Sequence, residues 1–347
     1  MLKKILITLV LPTIIAQPIY AETAQTEGKV AVANRADGTV SIIDVSSDSV
    51  IKTLEFQGGN NPAEPMYVNY KENRLYVGDR ANDRVVVFDS FGFNQIAEIP
   101  IGQGVFHMWP AKFSQDLAVA NDIDNTITLI DTNNLQQKHI LDIPERLVEK
   151  GFKPHDVFLS SYGDRVFVSL VDGKPSNDYI LQFNLTENHY WRRHEPVITR
   201  EVGGDPHLFI ANSWPGLLYV ASQESGTVGV YDPYRLQKIL TKRVPNAHGI
   251  FLHDYTLYVT NIADNGDNGL ISMVGNKLQY KRAVDTPYAT PHNISVTDNG
   301  EKIYITHSGA DQNKVTVYSK HTYQIEPTFI KDITVGLNPF GLAYIPH

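Results

Sequence analysis

The 347-residue chain contains no cysteine. That excludes disulfides, thiolate metal ligands, thiol nucleophiles and haem attachment through cysteine. Stability must come from a packed core, and a chain of this length can bury one. Basic runs are absent too, and the formal net charge is −8. Phosphate-backbone binding needs clustered Lys and Arg, so no nucleic-acid partner is expected. The chain has no Gly-x-Ser-x-Gly elbow, no Gly-rich phosphate loop and no His-Glu-x-x-His. The usual signatures of serine hydrolases, P-loop enzymes and zincins are therefore missing. No apolar stretch is long enough to span a bilayer as a helix. Long helical patterns are missing as well, and only Ile143 to Gly151 suggests a short helical turn.

What is present begins with an export segment. Lys3 and Lys4 precede an apolar run from Ile5 to Ile15, and Ile19-Tyr20-Ala21 forms a cleavage site. Residues 1–21 are expected to be a signal peptide, 22–28 a short linker and 29–347 a single domain. Loss of the two lysines would take the charge from −8 to −10. No cysteine follows the cut, so no lipid anchor is expected. The expectation is a periplasmic, soluble monomer with no membrane anchor.

From Lys29 onward short strands alternate with turns. Val40-Ser-Ile-Ile-Asp44, Arg84-Val-Val-Val-Phe-Asp89, Thr126-Ile-Thr-Leu-Ile-Asp131, Thr227-Val-Gly-Val-Tyr-Asp232 and Lys314-Val-Thr-Val-Tyr318 carry β-branched and aromatic residues. Asp37-Gly38, Gly163-Asp164, Asn265-Gly266 and Asn299-Gly300 supply turn chemistry. The strands fall into groups of four, with inner strands starting near Pro65, Phe106, Pro154, Pro206, Ala247 and Pro291. Two fragments are left over. Residues 29–56 lack an inner strand, and 338–346 form an inner strand with nothing after it. Joined, they make a seventh group closed by both ends of the chain. The predicted fold is an all-β, seven-bladed β-propeller, whose closure hides its edge strands.

Five histidines recur near the starts of the inner strands: His107, His155, His207, His248 and His292. Aligned on these histidines, the inner strands present a ring ordered Phe340, Met66, His107, His155, His207, His248 and His292. Equivalent positions on parallel inner strands lie at one depth in a central channel. Neutral imidazoles suit zinc or copper, and the Met66 thioether would favour Cu(I). Asp156 and Asp205 are candidates to accept the second ring N–H of a bound histidine. The bland alternative is internal duplication of a Pro-His turn whose imidazole only bonds a neighbouring blade.

The strand motif resembles the YVTN-type β-propeller family. The tetrapeptide stands at Tyr258-Val259-Thr260-Asn261, with degenerate copies at Tyr76-Val77-Gly78-Asp79, Tyr219-Val220-Ala221-Ser222 and Tyr304-Ile305-Thr306-His307. More narrowly, an exported propeller with channel histidines is similar to periplasmic zinc metallochaperones. That resemblance implies metal handling, with a solute-binding protein of a metal importer as partner, and not catalysis. Two alternatives stand beside it. One is a propeller hydrolase or lyase at the channel mouth, with a metal or with His155 or His207 as general base. The other is a protein-binding scaffold with an incidental ring.

Overall fold

The computed structural model describes residues 27–347, apart from 175–177, 186–195, 197, 211–215, 264 and 321–325. The expected signal peptide therefore lies outside the described residues. Seven four-stranded antiparallel sheets make up the fold. Six of them take their strands in chain order, and the seventh has the C-terminal strand Pro339–Ile345 paired with Lys29–Asn34. The register runs from Lys29 opposite Ile345 to Asn34 opposite Pro339. The expected closure is thus present. The inner strands are Pro65–Lys71, Val105–Pro110, Lys153–Leu159, Pro206–Ile210, Ala247–His253, Pro291–Val296 and Pro339–Ile345. They belong to blades 1 to 7 in that order. The short helical turn is Glu145–Val148.

Each blade is sandwiched between two neighbours, so its second strand is covered on both faces. Leu75-Tyr76-Val77 and Leu257-Tyr258-Val259 are therefore apolar throughout and buried throughout, without alternation. The fourth strands face water, as in Ser49–Glu55, where only Leu54 is buried. Blades 6 and 7 are tied by polar contacts across the closure. Tyr304 Oη donates to Asp48 Oδ1 at 2.6 Å, and Lys302 Nζ pairs with Asp48 Oδ2 at 2.7 Å.

One irregularity recurs in six blades and sets the site. Just after its first residue, or its second in Lys153–Leu159, each of these inner strands places two residues opposite one on the second strand. In blade 1, Pro65 pairs with Asp79 and Val68 with Val77, leaving Met66 and Tyr67 opposite Gly78. Blades 2, 3, 5, 6 and 7 do the same with Phe106-His107, His155-Asp156, His248-Gly249, His292-Asn293 and Phe340-Gly341. Blade 4 is regular, with His207 opposite Ala221. A bulge frees backbone N–H groups from the ladder. Three of these find a hydroxyl on the opposing residue. Asp156 N donates to Ser169 Oγ at 2.9 Å, Gly249 N to Thr260 Oγ1 at 2.7 Å and Asn293 N to Thr306 Oγ1 at 3.1 Å. The proline at four of the bulged starts suits a position at a strand's beginning, where a missing N–H costs little.

Candidate active site

The register corrects the expected ring. The first bulge positions, with His207 of blade 4, are Met66, Phe106, His155, His207, His248, His292 and Phe340. His107 is a second bulge position and shares its layer with Tyr67, Asp156, Gly249, Asn293 and Gly341. It is nonetheless brought to the others. Its ring centroid lies 5.3 Å from His155 and 6.0 Å from His207. The belt continues from His155 to His207 at 4.9 Å, to His248 at 3.9 Å, to His292 at 4.4 Å and to Phe340 at 4.2 Å. Met66 is fully buried and takes no part in the cavity wall. From blade 1 it is Tyr67 that meets the belt, 3.9 Å from the His107 ring and 5.6 Å from Phe340.

A cavity of about 500 Å³ lies on the side toward which the inner strands run. Tyr67, His107, Asp156, His207, His248 and Asn293 line its belt end. His155 and His292 belong to the belt but not to this wall. On the other side of the belt, Arg35 and Arg80 lie over the Phe340 and Phe106 rings, at 5.5 and 5.8 Å.

Asp156 does not serve His155, its sequence neighbour. Its Oδ1 lies 2.8 Å from Nδ1 of His107 on the preceding blade. Its two oxygens also accept from Val157 N and Leu208 N, both at 2.8 Å. Burial pushes the Asp156 carboxyl up, but His107, His207 and these hydrogen bonds outweigh it and hold it ionised. Burial lowers the His107 pKa, and the Asp156 charge only partly restores it. Asp205 faces two rings, with Oδ1 3.7 Å from His155 Nε2 and 3.6 Å from His207 Nε2. Its burial is likewise outweighed, by His207 and the neighbouring imidazoles, and its carboxyl sits well below the usual carboxylate range. Burial holds His155 down to about 3 and His248 and His292 well below 6.5, with mutual repulsion of the imidazoles adding to it. Near neutral pH these three rings are uncharged.

Three more side chains complete the site, of which Asn293 stands out in the sequence as a polar neighbour of His292 while Gln223 and Tyr67 do not. Gln223 Oε1 holds His248 Nδ1 at 2.7 Å. Asn293 Nδ2 lies 2.8 Å from His292 Nδ1 and donates to the Tyr67 hydroxyl at 2.9 Å. Burial raises the Tyr67 pKa well above 10, so the phenol keeps its proton. Tyr67 and Asn293 each follow a residue that the sequence pattern singled out, and the bulge is what turns them toward the same space.

The Nε2 atoms of His155, His207 and His248 are buried without a hydrogen-bond partner. Nitrogens of His107, His155 and His207 lie within 4.8 Å of one another, as do ligand atoms of Asp205, His207 and His248. Clustered imidazoles with a flanking carboxylate fit a divalent ion chemically.

Fold and site together define a seven-bladed propeller with an imidazole belt across its channel and a preformed cavity beside it. The chain belongs to the family described as lactonase, 7-bladed beta-propeller, which it matches over residues 10–244. No curated protein matches it significantly. Among solved structures, one assigned as a 6-phosphogluconolactonase from Bacteroides fragilis is 16% identical, with a TM-score of 0.69. It covers 93% of this chain and 99% of its own. The periplasmic gluconolactonase PpgL of Pseudomonas aeruginosa is also 16% identical, at TM-score 0.69, covering 92% of this chain and 99% of its own. The dihydro-haem d1 dehydrogenase NirN is 13% identical, at TM-score 0.60, covering 96% of this chain and 77% of its own. At these identities the likeness is one of fold.

Family membership overturns the YVTN-type assignment and the metallochaperone reading built on it. The tetrapeptide at 258–261 lies on the second strand Thr256–Asn261, where Tyr258 and Val259 are core. It reports the packing of a propeller blade, which unrelated families share. A role as a zinc or copper carrier is not retained. The hydrolase alternative fits the family better.

Proposed function

We propose that the protein hydrolyses a lactone at the belt end of the channel cavity. The observation that carries this reading is the His107–Asp156 pair, oriented across a blade boundary and facing a preformed cavity, in a chain of the lactonase family. With Asp156 accepting from Nδ1–H, His107 keeps its Nε2 lone pair for a proton. Nε2 takes a proton from water as the water oxygen bonds to the lactone carbonyl carbon. The carbonyl re-forms, the ring C–O bond breaks, and Nε2 returns the proton to the departing alkoxide, giving the open hydroxy acid. Tyr67 accepts from Asn293 and has its own O–H to give to the carbonyl oxygen as charge builds there. An ion held by Asp205, His207 and His248 would, when bound, supply Lewis-acid polarisation of that carbonyl and leave His107 free as base. The basic and apolar N-terminus together with the periplasmic relative support a periplasmic location.

The test is turnover of a lactone panel by the purified protein and by His107→Gln, Asp156→Asn and Tyr67→Phe. General-base loss should cost His107→Gln about 10²–10⁴ in kcat. Loss of one carbonyl donor should cost Tyr67→Phe about 10²–10³. Because His107 is lowered from its ordinary value, activity should persist below pH 6.5 before its acid limb begins. Unchanged turnover in His107→Gln, or none by the wild type on any lactone, would overturn the reading.

A further inference from the structure

Part of the cavity wall beyond the belt is aromatic. Trp109, Phe209 and Phe251 stand there, from blades 2, 4 and 5. Phe209 lies 6.0 Å from Trp109 and 5.1 Å from Phe251. Phe158, stacked on Trp109 at 4.1 Å, backs the gap between them. Leu208 and Ile250 continue this arc, and the facing wall, from blades 1, 6 and 7, is mixed, with Asn69, Glu72, Ser295 and Asp298 among its residues. Among the described residues no arginine lines the cavity, and of its two lysines Lys71 is engaged while Lys112 is exposed. Lys71 Nζ donates to Ala111 O at 3.0 Å and pairs with Glu72 at 3.3 Å, while Lys112 lies over the Phe113 ring at 5.2 Å. On the other side of the belt, Arg35 and Arg80 are also ion-paired, with Glu64 at 2.7 Å and Asp122 at 2.9 Å. A phosphomonoester dianion needs free cations or a cradle of donors. A polyol ring needs a partner for each hydroxyl it buries. Asn69 Oδ1, buried without a partner, and the Glu72, Ser295 and Asp298 side chains can take hydroxyls on the wall of blades 1 and 6, whereas the arc from Leu208 to Phe251 offers none, so a substituent lying along that arc must be apolar.

We propose that the substrate is an uncharged lactone bearing an apolar alkyl or aryl substituent, held with its ring at His107 and its substituent along Trp109, Phe209 and Phe251. This rests on the hydrolase reading and adds the substrate class to it. The proposal predicts a chain-length ladder. Each further buried methylene should raise kcat/KM about three- to fourfold, until the cavity is filled.

The experiment compares δ-hexalactone, δ-decalactone, dihydrocoumarin, δ-gluconolactone and 6-phosphogluconolactone on the full chain. It adds binding of 2-heptylcyclopentanone, which cannot be hydrolysed, read by the fluorescence difference between wild type and Trp109→Phe. δ-Decalactone should exceed δ-hexalactone by at least tenfold and both sugar lactones by about a hundredfold. Ile250→Arg should reduce decalactone turnover and ketone binding by more than tenfold and lower turnover of the short lactone by a smaller factor. Turnover of sugar lactones without the ladder would overturn the substrate class and leave the hydrolase reading standing. Ketone binding that Ile250→Arg abolishes, with no lactone turned over, would uphold the apolar cavity and sink the hydrolase reading. Neither binding nor turnover would overturn both.

Discussion

Acid should unfold this protein early, and the reason is the imidazoles it keeps neutral. His307 is completely buried, with Nδ1 donating to Ala289 O at 2.9 Å and Nε2 accepting from the Thr316 hydroxyl at 3.0 Å. Burial lowers its pKa to about 4, and burial with neighbouring imidazoles lowers that of His155 to about 3. In the unfolded chain both return to about 6.5. Below pH 6.5 the unfolded state therefore binds protons that the folded state refuses. Their contribution to stability is fully present above 6.5 and is lost as pH falls toward the folded values. Between pH 7 and pH 5 each such group costs about 2 kcal/mol, or about 4 kcal/mol for the two. His155 keeps 19% of its side chain exposed, so its share is the smaller. His248 and His292 act in the same direction. Asp178, raised by burial to about 6, titrates in the opposite sense and offsets part of the loss. Against a total of about 5–15 kcal/mol, the drop is large. Urea unfolding followed by circular dichroism at pH 7, 6 and 5 would measure it. The double variant His155→Gln/His307→Gln should flatten the pH dependence whatever its absolute stability. A wild type that loses less than about 1 kcal/mol between pH 7 and 5 would refute the reasoning, since that is below the share of a single such group.

The closure, a buried ion pair and a belt glycine give three further tests. Deleting residues 338–347 removes the inner strand of blade 7 and should abolish the single cooperative melt seen by calorimetry, whereas a transition like that of the full chain would contradict the closure. Arg84 is buried against fully buried Asp79 at 2.9 Å and also pairs with Glu98. Arg84→Met should cost about 3–5 kcal/mol in urea unfolding, and Arg84→Met/Asp79→Asn much less, because the stranded carboxylate is the main penalty. At Gly249 an added Cβ would lie 2.0 Å from the His292 carbonyl oxygen. Gly249→Ala should therefore lower stability by about 1–3 kcal/mol and reduce lactone turnover with it, and an unaltered melting temperature would show that the belt can yield there.

Much of the fold was legible because its causes are local. Turn dipeptides, β-branched runs and the two unmatched ends require nothing beyond strand chemistry and edge avoidance. The belt histidines were legible for the same reason, since each lies near an inner-strand start. The layer of His107 was misread because the strands were aligned on the histidines and not on the hairpins. Spacing held the correction. His155, His207 and His292 each precede the first residue of the second-strand motif, Val166, Leu218 and Ile303, by eleven positions, and in blade 2 the residue eleven before Leu117 is Phe106. Val105 there occupies the place that proline holds in blades 1, 6 and 7.

The function class was harder to read because it depends on contacts between blades. Five imidazoles on one channel suit a carrier and a catalyst equally well. What separates the two is whether one ring is oriented as a base toward a space that holds a substrate. In the chain Asp156 stands beside His155, and sequence adjacency pairs them. The bulge instead sets His155 in the first layer and Asp156 in the second, level with His107 of the blade before. The carboxylate then closes on His107 Nδ1, forty-nine positions away in the chain. The same displacement turns Tyr67 and Asn293 into the second layer, where one hydroxyl and one amide meet over the cavity. An extra residue in six of the seven inner strands thus converts a ring of like side chains into two unlike layers. The first crowds the imidazoles of His155, His207, His248 and His292 together, and the second sets an acid-oriented base beside a phenol donor. A carboxylate with two backbone donors of its own holds the His107 ring in one tautomer, which serves a metal ligand as well as a base, so it is the preformed cavity faced by that ring that favours the hydrolytic reading.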